Sequence, residues 1–90
     1  MFAIQRDNEY SKGFSIKFSN GYTLSVKFGS MNYCAARKCA PYTSPDMCRD
    51  AEIAVIRPDG EFHSLDNSDD VMGWVTPDKL AELIPMIAGL

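Results

Sequence analysis

Between Gly13 and Gly29 apolar and polar residues alternate with a period of two. Phe14, Ile16 and Phe18 interleave with Ser15, Lys17 and Ser19, and Tyr22, Leu24, Val26 and Phe28 interleave with Thr23, Ser25 and Lys27. This alternation is the signature of two half-buried strands joined at Ser19-Asn20-Gly21. A two-residue Asn-Gly turn would set Phe18 beside Thr23 and Ile16 beside Ser25, mixing the two faces. A three-residue loop with Gly21 at the left-handed position instead pairs Phe18 with Tyr22, Ile16 with Leu24 and Phe14 with Val26. Every large apolar side chain, Phe28 included, then shares one face. A lone hairpin is marginal in water, so that face requires a cover.

The cover is predicted at the C-terminal end, where Leu80, Leu83, Ile84 and Ile87 recur at helical spacing as one apolar stripe. Thr76 has the hydroxyl of an N-cap, Pro77 occupies the tolerated first position, and Asp78 complements the positive helix end. Pro85 has no N–H for the Ala81 carbonyl and is expected to kink or end this helix, with Gly89 as a left-handed terminator. Between the two elements, residues 51–57 and 61–65 read as a second hairpin around Pro58-Asp59-Gly60. Its register pairs Arg57 with Glu61, Ile56 with Phe62, Val55 with His63 and Ile53 with Leu65, and the first of these is expected to be an ion pair. Residues 71–75 read as a final short strand, residues 2–4 as a short edge strand, and residues 5–13 as a polar connection. Residues 30–50 have no usable periodicity; a helical turn fits at 33–38, and Pro41 and Pro45 oppose anything longer. The pattern predicts an α+β fold, an antiparallel sheet of four to five strands built from two hairpins with the C-terminal helix packed on one face, in a single domain spanning residues 1–90.

Composition fits a folded chain, with 46% hydrophobic and 11% aromatic residues. Met1-Phe2-Ala3-Ile4 leads directly into Gln5, Arg6 and Asp7, and no apolar run approaches the roughly 18 residues of a membrane span, so a soluble, cytoplasmic protein with no membrane partner is expected. The net charge of −3 is unevenly distributed: residues 1–45 carry six basic and two acidic side chains, and residues 46–90 carry three basic and ten acidic ones. Such asymmetry fits a charged binding face, and fits better the ordinary solvated faces of separate elements. The sequence pI of 4.9 disfavours nucleic acid as a partner.

Long loops in compact small domains are often functional, which directs attention to residues 30–50. Tyr33, Tyr42 and Trp74 with Arg37, Lys38 and Arg49 have the composition of an interface hot spot or of a small pocket for an anion. Core aromatics with solvated charges at a loop rim would give the same residue list. Cys34, Cys39 and Cys48, with the lone His63 beyond them, offer three thiolates and an imidazole to a zinc ion, although the C-x2-C knuckle that seeds many such sites is missing. Free thiols packed as small hydrophobes are the competing state, and nothing beyond His63 supports a cysteine nucleophile. Asp66, Ser68 and Asp70 alternate as in a calcium loop, but Val71 stands where the sharp bend needs glycine and Pro77 where the bidentate glutamate belongs. Neither phosphate-binding glycine motif is present.

The run Asn20-Gly-Tyr-Thr-Leu-Ser-Val-Lys-Phe-Gly29, Asn32-Tyr33-Cys34, Ala51-Glu-Ile-Ala-Val with Asp59-Gly60, and Gly73-Trp74 ahead of Thr76-Pro77-Asp78 resembles a group of small uncharacterised proteins encoded by bacteriophages. The resemblance implies a phage accessory protein in the host cytoplasm that binds and modulates a host or defence protein, and it brings no catalytic residues with it. The expected function is therefore non-catalytic protein binding through the 30–50 loop and Trp74, with a homodimer compatible. The alternatives are a module that sequesters a nucleotide or other small anion through Arg37 and Lys38, and a small zinc-dependent or thiol protein.

Overall fold

The computed structural model describes residues 1–8, 10–37, 46–65 and 70–90. The fold is α+β, one antiparallel sheet followed by one C-terminal helix. Its elements are β1 (Phe2–Asn8), β2 (Ser11–Lys17), β3 (Thr23–Phe28), β4 (Ala51–Ile56), β5 (Phe62–His63), β6 (Val71–Val75) and α1 (Pro77–Ala88). The strands run in the order β1-β2-β3-β4-β5, and β6 also pairs with β4. Because β5 bonds Val55 and Ile56 while β6 bonds Ala51, Ile53 and Ala54, the two lie end to end along the same edge of β4. They act as one strand interrupted between His63 and Val71.

The opening hairpin has the register that its alternation demands: Phe14 pairs with Val26 and Ile16 with Leu24. The Phe18 N–H bonds the Tyr22 carbonyl at 2.9 Å, the Gly21 N–H bonds the Phe18 carbonyl at 3.0 Å, and Gly21 has φ +88°. The second turn repeats this solution, with Gly60 at φ +89° and the Arg57 N–H on the Glu61 carbonyl at 2.7 Å. Ile56 pairs with Phe62 and Val55 with His63 as expected.

Two details of that hairpin differ from expectation. Ile53 pairs with Met72 rather than Leu65, because the chain leaves the ladder after His63; Leu65 still packs against the core. The Arg57 guanidinium turns to Asp59, 3.2 Å away, rather than to Glu61 across the strands. Asp59 sits in the turn with its carboxylate already accepting the Glu61 N–H at 2.9 Å, so it is the nearer acid.

At the other edge, the polar stretch after Ile4 extends the strand instead of ending it. β1 continues to Asn8, whose side-chain oxygen accepts the Tyr10 N–H at 2.7 Å and turns the chain into β2. Polar residues suit this edge strand because little of it is covered. Gly13 lies within β2, where a β-carbon would collide with the Val26 carbonyl.

The helix covers the predicted face. Leu83 and Ile87 are buried with Leu24, Val26, Ile53, Val55 and Val75, and Ile16, Phe18, Tyr22, Leu80 and Ile84 pack around them. The cover stops short of the β1–β2 end: Phe14 remains 38% exposed, and Phe2 and Ile4, opposite Ile16 and Phe14 on the same face, are almost wholly exposed. Thr76 caps α1 by accepting the Lys79 N–H at 3.2 Å. Pro85 does not end the helix, which runs on to Ala88, and Gly89 has φ −95° rather than a left-handed conformation. The carbonyls at that end are met instead by Asn20 of the first turn, whose Nδ2 donates to Ile87 at 2.9 Å, Ala88 at 3.2 Å and Leu90 at 3.3 Å.

Candidate recognition surface and thiol cluster

The chain leaving β3 folds back along the end of the sheet. Gly29, Ser30, Asn32 and Cys34 are buried in this loop, while Met31 and Tyr33 project outward. Asn32 anchors it by donating to Glu52 of β4 at 2.9 Å, and the Met31 N–H reaches the Tyr10 carbonyl at 3.3 Å. From Ser30 to Cys34 buried even positions alternate with exposed odd ones, which displays Tyr33 over β6.

There the sheet edge carries a bulge. Ala51 pairs with Val75 and Ile53 with Met72, so Gly73 and Trp74 together oppose Glu52 alone. Extra residues of this kind re-aim side chains and increase local twist. Trp74 takes φ +51°, a left-handed conformation rare for a bulky residue, and its side chain is left 55% exposed. The neighbouring loop holds it there: the Trp74 N–H donates to the Tyr33 carbonyl at 2.8 Å. Gly73 permits the approach, since a β-carbon at that position would lie 2.7 Å from Cβ of Tyr33.

Half-buried Arg37 and the exposed Tyr33 and Trp74 form a continuous row. The Arg37 guanidinium lies 4.2 Å from the centre of the Tyr33 ring, within cation–π range. The Tyr33 and Trp74 rings are 5.8 Å apart and inclined at 48°. Three of the expected binding residues are thus brought together in the order Arg37, Tyr33, Trp74. Arg49 is exposed, and among the described residues it makes a long 3.9 Å contact from Nε to Asp50. Lys38 and Tyr42 lie outside the described residues.

Directly beneath this row is a cluster of thiols with a carboxylate. One ligand atom each from Cys34, Cys48 and Asp50 lies within 4.8 Å of the other two. Cys34 is fully buried and its Sγ donates to the Gly29 carbonyl at 3.4 Å. Cys48, half-buried, directs its thiol at Oδ1 of Asp50, 3.9 Å away. That same oxygen accepts the Ala35 N–H at 2.6 Å, so Asp50 fastens the loop to the start of β4. Burial pushes the Cys34 thiol above its ordinary value, and the neighbouring Cys48 adds to the rise.

The expected zinc set of Cys34, Cys39, Cys48 and His63 is therefore only partly assembled. His63 is not in the cluster: it pairs with Val55 at the far end of β4, about 16 Å along the strand from Asp50 at the roughly 3.3 Å rise of each residue, and packs edge-on against Tyr22. Cys39 lies outside the described residues. Asp50, the member that sequence reasoning missed, follows Cys48 by two positions, but a single aspartate beside a strand carried no signal of its own. Of the calcium-like acidic turn, Asp66 and Ser68 also lie outside the described residues, and Asp70 is exposed.

No protein-family model, curated protein or solved structure matches this chain. Among the described residues, no helix is long and apolar enough to cross a membrane.

Proposed function

We propose that the chain is a non-catalytic binding protein of the phage-accessory type, and that it engages and modulates a host or defence protein of the bacterial cytoplasm through the Arg37–Tyr33–Trp74 row. One observation carries the binding reading: a tryptophan is held exposed in a left-handed backbone conformation by a bulge, a glycine and a hydrogen bond. That conformation costs roughly 1–3 kcal/mol and persists only when its surroundings enforce it, which is characteristic of sites where geometry serves recognition. Tryptophan, tyrosine and arginine are also the residues on which interface binding energy concentrates. The phage and host context rests on the resemblance of the Asn20–Gly29, Asn32–Cys34, Ala51–Val55, Asp59-Gly60 and Gly73–Asp78 segments described above.

Affinity capture from bacterial lysate, with wild-type chain and Trp74→Ala as paired baits and nucleotides tracked in the bound fraction, tests this reading. A protein retained by the wild type and lost with Trp74→Ala is the expected result. Equal recovery by both baits, or retention of a nucleotide in place of a protein, would overturn it.

A further inference from the structure

We propose that Cys34, Cys48 and Asp50 bind one zinc-class cation, a borderline-soft divalent metal, which ties the 29–37 loop to the start of β4. Three ligand atoms, one from the 29–37 loop and two from the segment 48–50, already converge within 4.8 Å, and the Cys48 sulfur and Asp50 oxygen are 3.9 Å apart. Around a tetrahedral zinc, with sulfur at about 2.3 Å and carboxylate oxygen at about 2.0–2.2 Å, such atoms stand roughly 3.5–3.8 Å from one another. Contraction of about 1 Å at most is needed, within the reach of side-chain rotation.

The donor set selects the metal. Two sulfurs exclude calcium and magnesium, which take oxygen ligands, and the mixed sulfur and oxygen set suits zinc. On binding, each thiol releases its proton to solvent, so two thiolates and one carboxylate surround the dication. Cys48 is the half-buried member, and a tetrahedral ion held by these three groups has a fourth position for water.

The carboxylate distinguishes this site from a simple cysteine pair. Asp50 is 9% exposed, and among the described residues its ion pair is with Nε of Arg49 at 3.9 Å, on a side chain that is itself largely exposed. A disulfide would use only the two sulfurs, whereas a cation uses all three groups. Cys34 adjoins Tyr33, so the ion would brace the loop that carries the exposed row. The metal site does not depend on what Trp74 contacts, and its test reads metal binding alone.

The full chain, reduced and metal-free, is titrated with Co2+ as the spectroscopic probe and then with Zn2+. One equivalent of Co2+ should bind with sulfur-to-metal charge-transfer absorption and be displaced by one equivalent of Zn2+. Zinc should also protect Cys34 and Cys48 from alkylation. Cys48→Ser and Asp50→Asn should each weaken Zn2+ binding by at least the roughly 10- to 100-fold that loss of an outer-shell partner costs, while Cys39→Ser binds as the wild type does. Cys34 is fully buried, so Cys48→Ser, checked for its metal-free fold by circular dichroism, is the decisive variant. No Co2+ bound by the reduced wild type, unchanged Zn2+ affinity in both Cys48→Ser and Asp50→Asn, or loss of binding in Cys39→Ser would overturn the proposal.

Discussion

At the scale of single residues, backbone conformation separates display from stability. Trp74 is left-handed, so its β-carbon is strained whatever the indole touches. Trp74→Gly removes both the side chain and the strain; Trp74→Ala removes only the former. In urea denaturation Trp74→Gly should be more stable than Trp74→Ala by about 1 kcal/mol, and an alanine variant equal to or above the glycine one would contradict the strained bulge. Asp59 makes a second residue-scale case. Its carboxyl is held below the usual range first by the Glu61 N–H and then by Arg57. A folded pKa below the unfolded value of about 3.9 means that the stabilisation is complete above that value and is lost as pH falls through the depressed one. The stability difference between wild type and Asp59→Asn should hold steady from neutral pH to about pH 5 and shrink below about pH 4; a difference that persists undiminished to pH 2 would contradict this assignment.

At the scale of elements, the first turn does more than reverse the chain. Asn20 accepts the Tyr22 N–H at 3.0 Å and gives its amide hydrogens to three carbonyls at the end of α1, in place of the left-handed Gly89 cap that the sequence predicts. The hairpin and the helix that covers it are therefore locked at one end by a side chain as well as by apolar packing. Asn20→Ala should lower stability by about 1–3 kcal/mol, since it leaves helix carbonyls short of donors and weakens the turn; a change within about 0.5 kcal/mol, typical of a surface position, would contradict that role. Both hairpin registers near their turns and the helix N-cap were legible because each follows from local chemistry: alternation fixes the face, the turn residues fix loop length, and Thr76-Pro77 fixes the helix start. The interruption between His63 and Val71, the length of β1 and the Asn20 cap were not legible. They depend on which edge of β4 is vacant and on where the helix ends in space, neither of which is encoded by neighbouring residues.

At the scale of the whole molecule, the sheet and helix bury one face, and the exposed Tyr33 and Trp74 meet Arg37 at the β6 edge of the sheet, away from the exposed Phe2 and Phe14 of the β1–β2 edge. The candidate site was legible in part. Tyr33, Arg37 and Trp74 stood out by type, and the structure brings them into one row, whereas Arg49 only borders the thiol cluster beneath it. Their assembly depends on a bulge opposite Glu52 and on the Tyr33–Trp74 backbone bond, which join positions 41 residues apart. Asp50 entered the thiol cluster for the same reason, since its role comes from contact with Ala35 across the loop and not from its place in sequence.

The most direct test of this account is the affinity for the captured partner protein of three chains: wild type, Trp74→Ala, and Met86→Ala as a control on the exposed side of α1. The proposed recognition row predicts that Trp74→Ala weakens binding by about 30-fold or more, the equivalent of a hot-spot loss of about 2 kcal/mol, with Met86→Ala indistinguishable from wild type. Binding that survives Trp74→Ala and falls with Met86→Ala would place recognition on the helix and contradict the central claim.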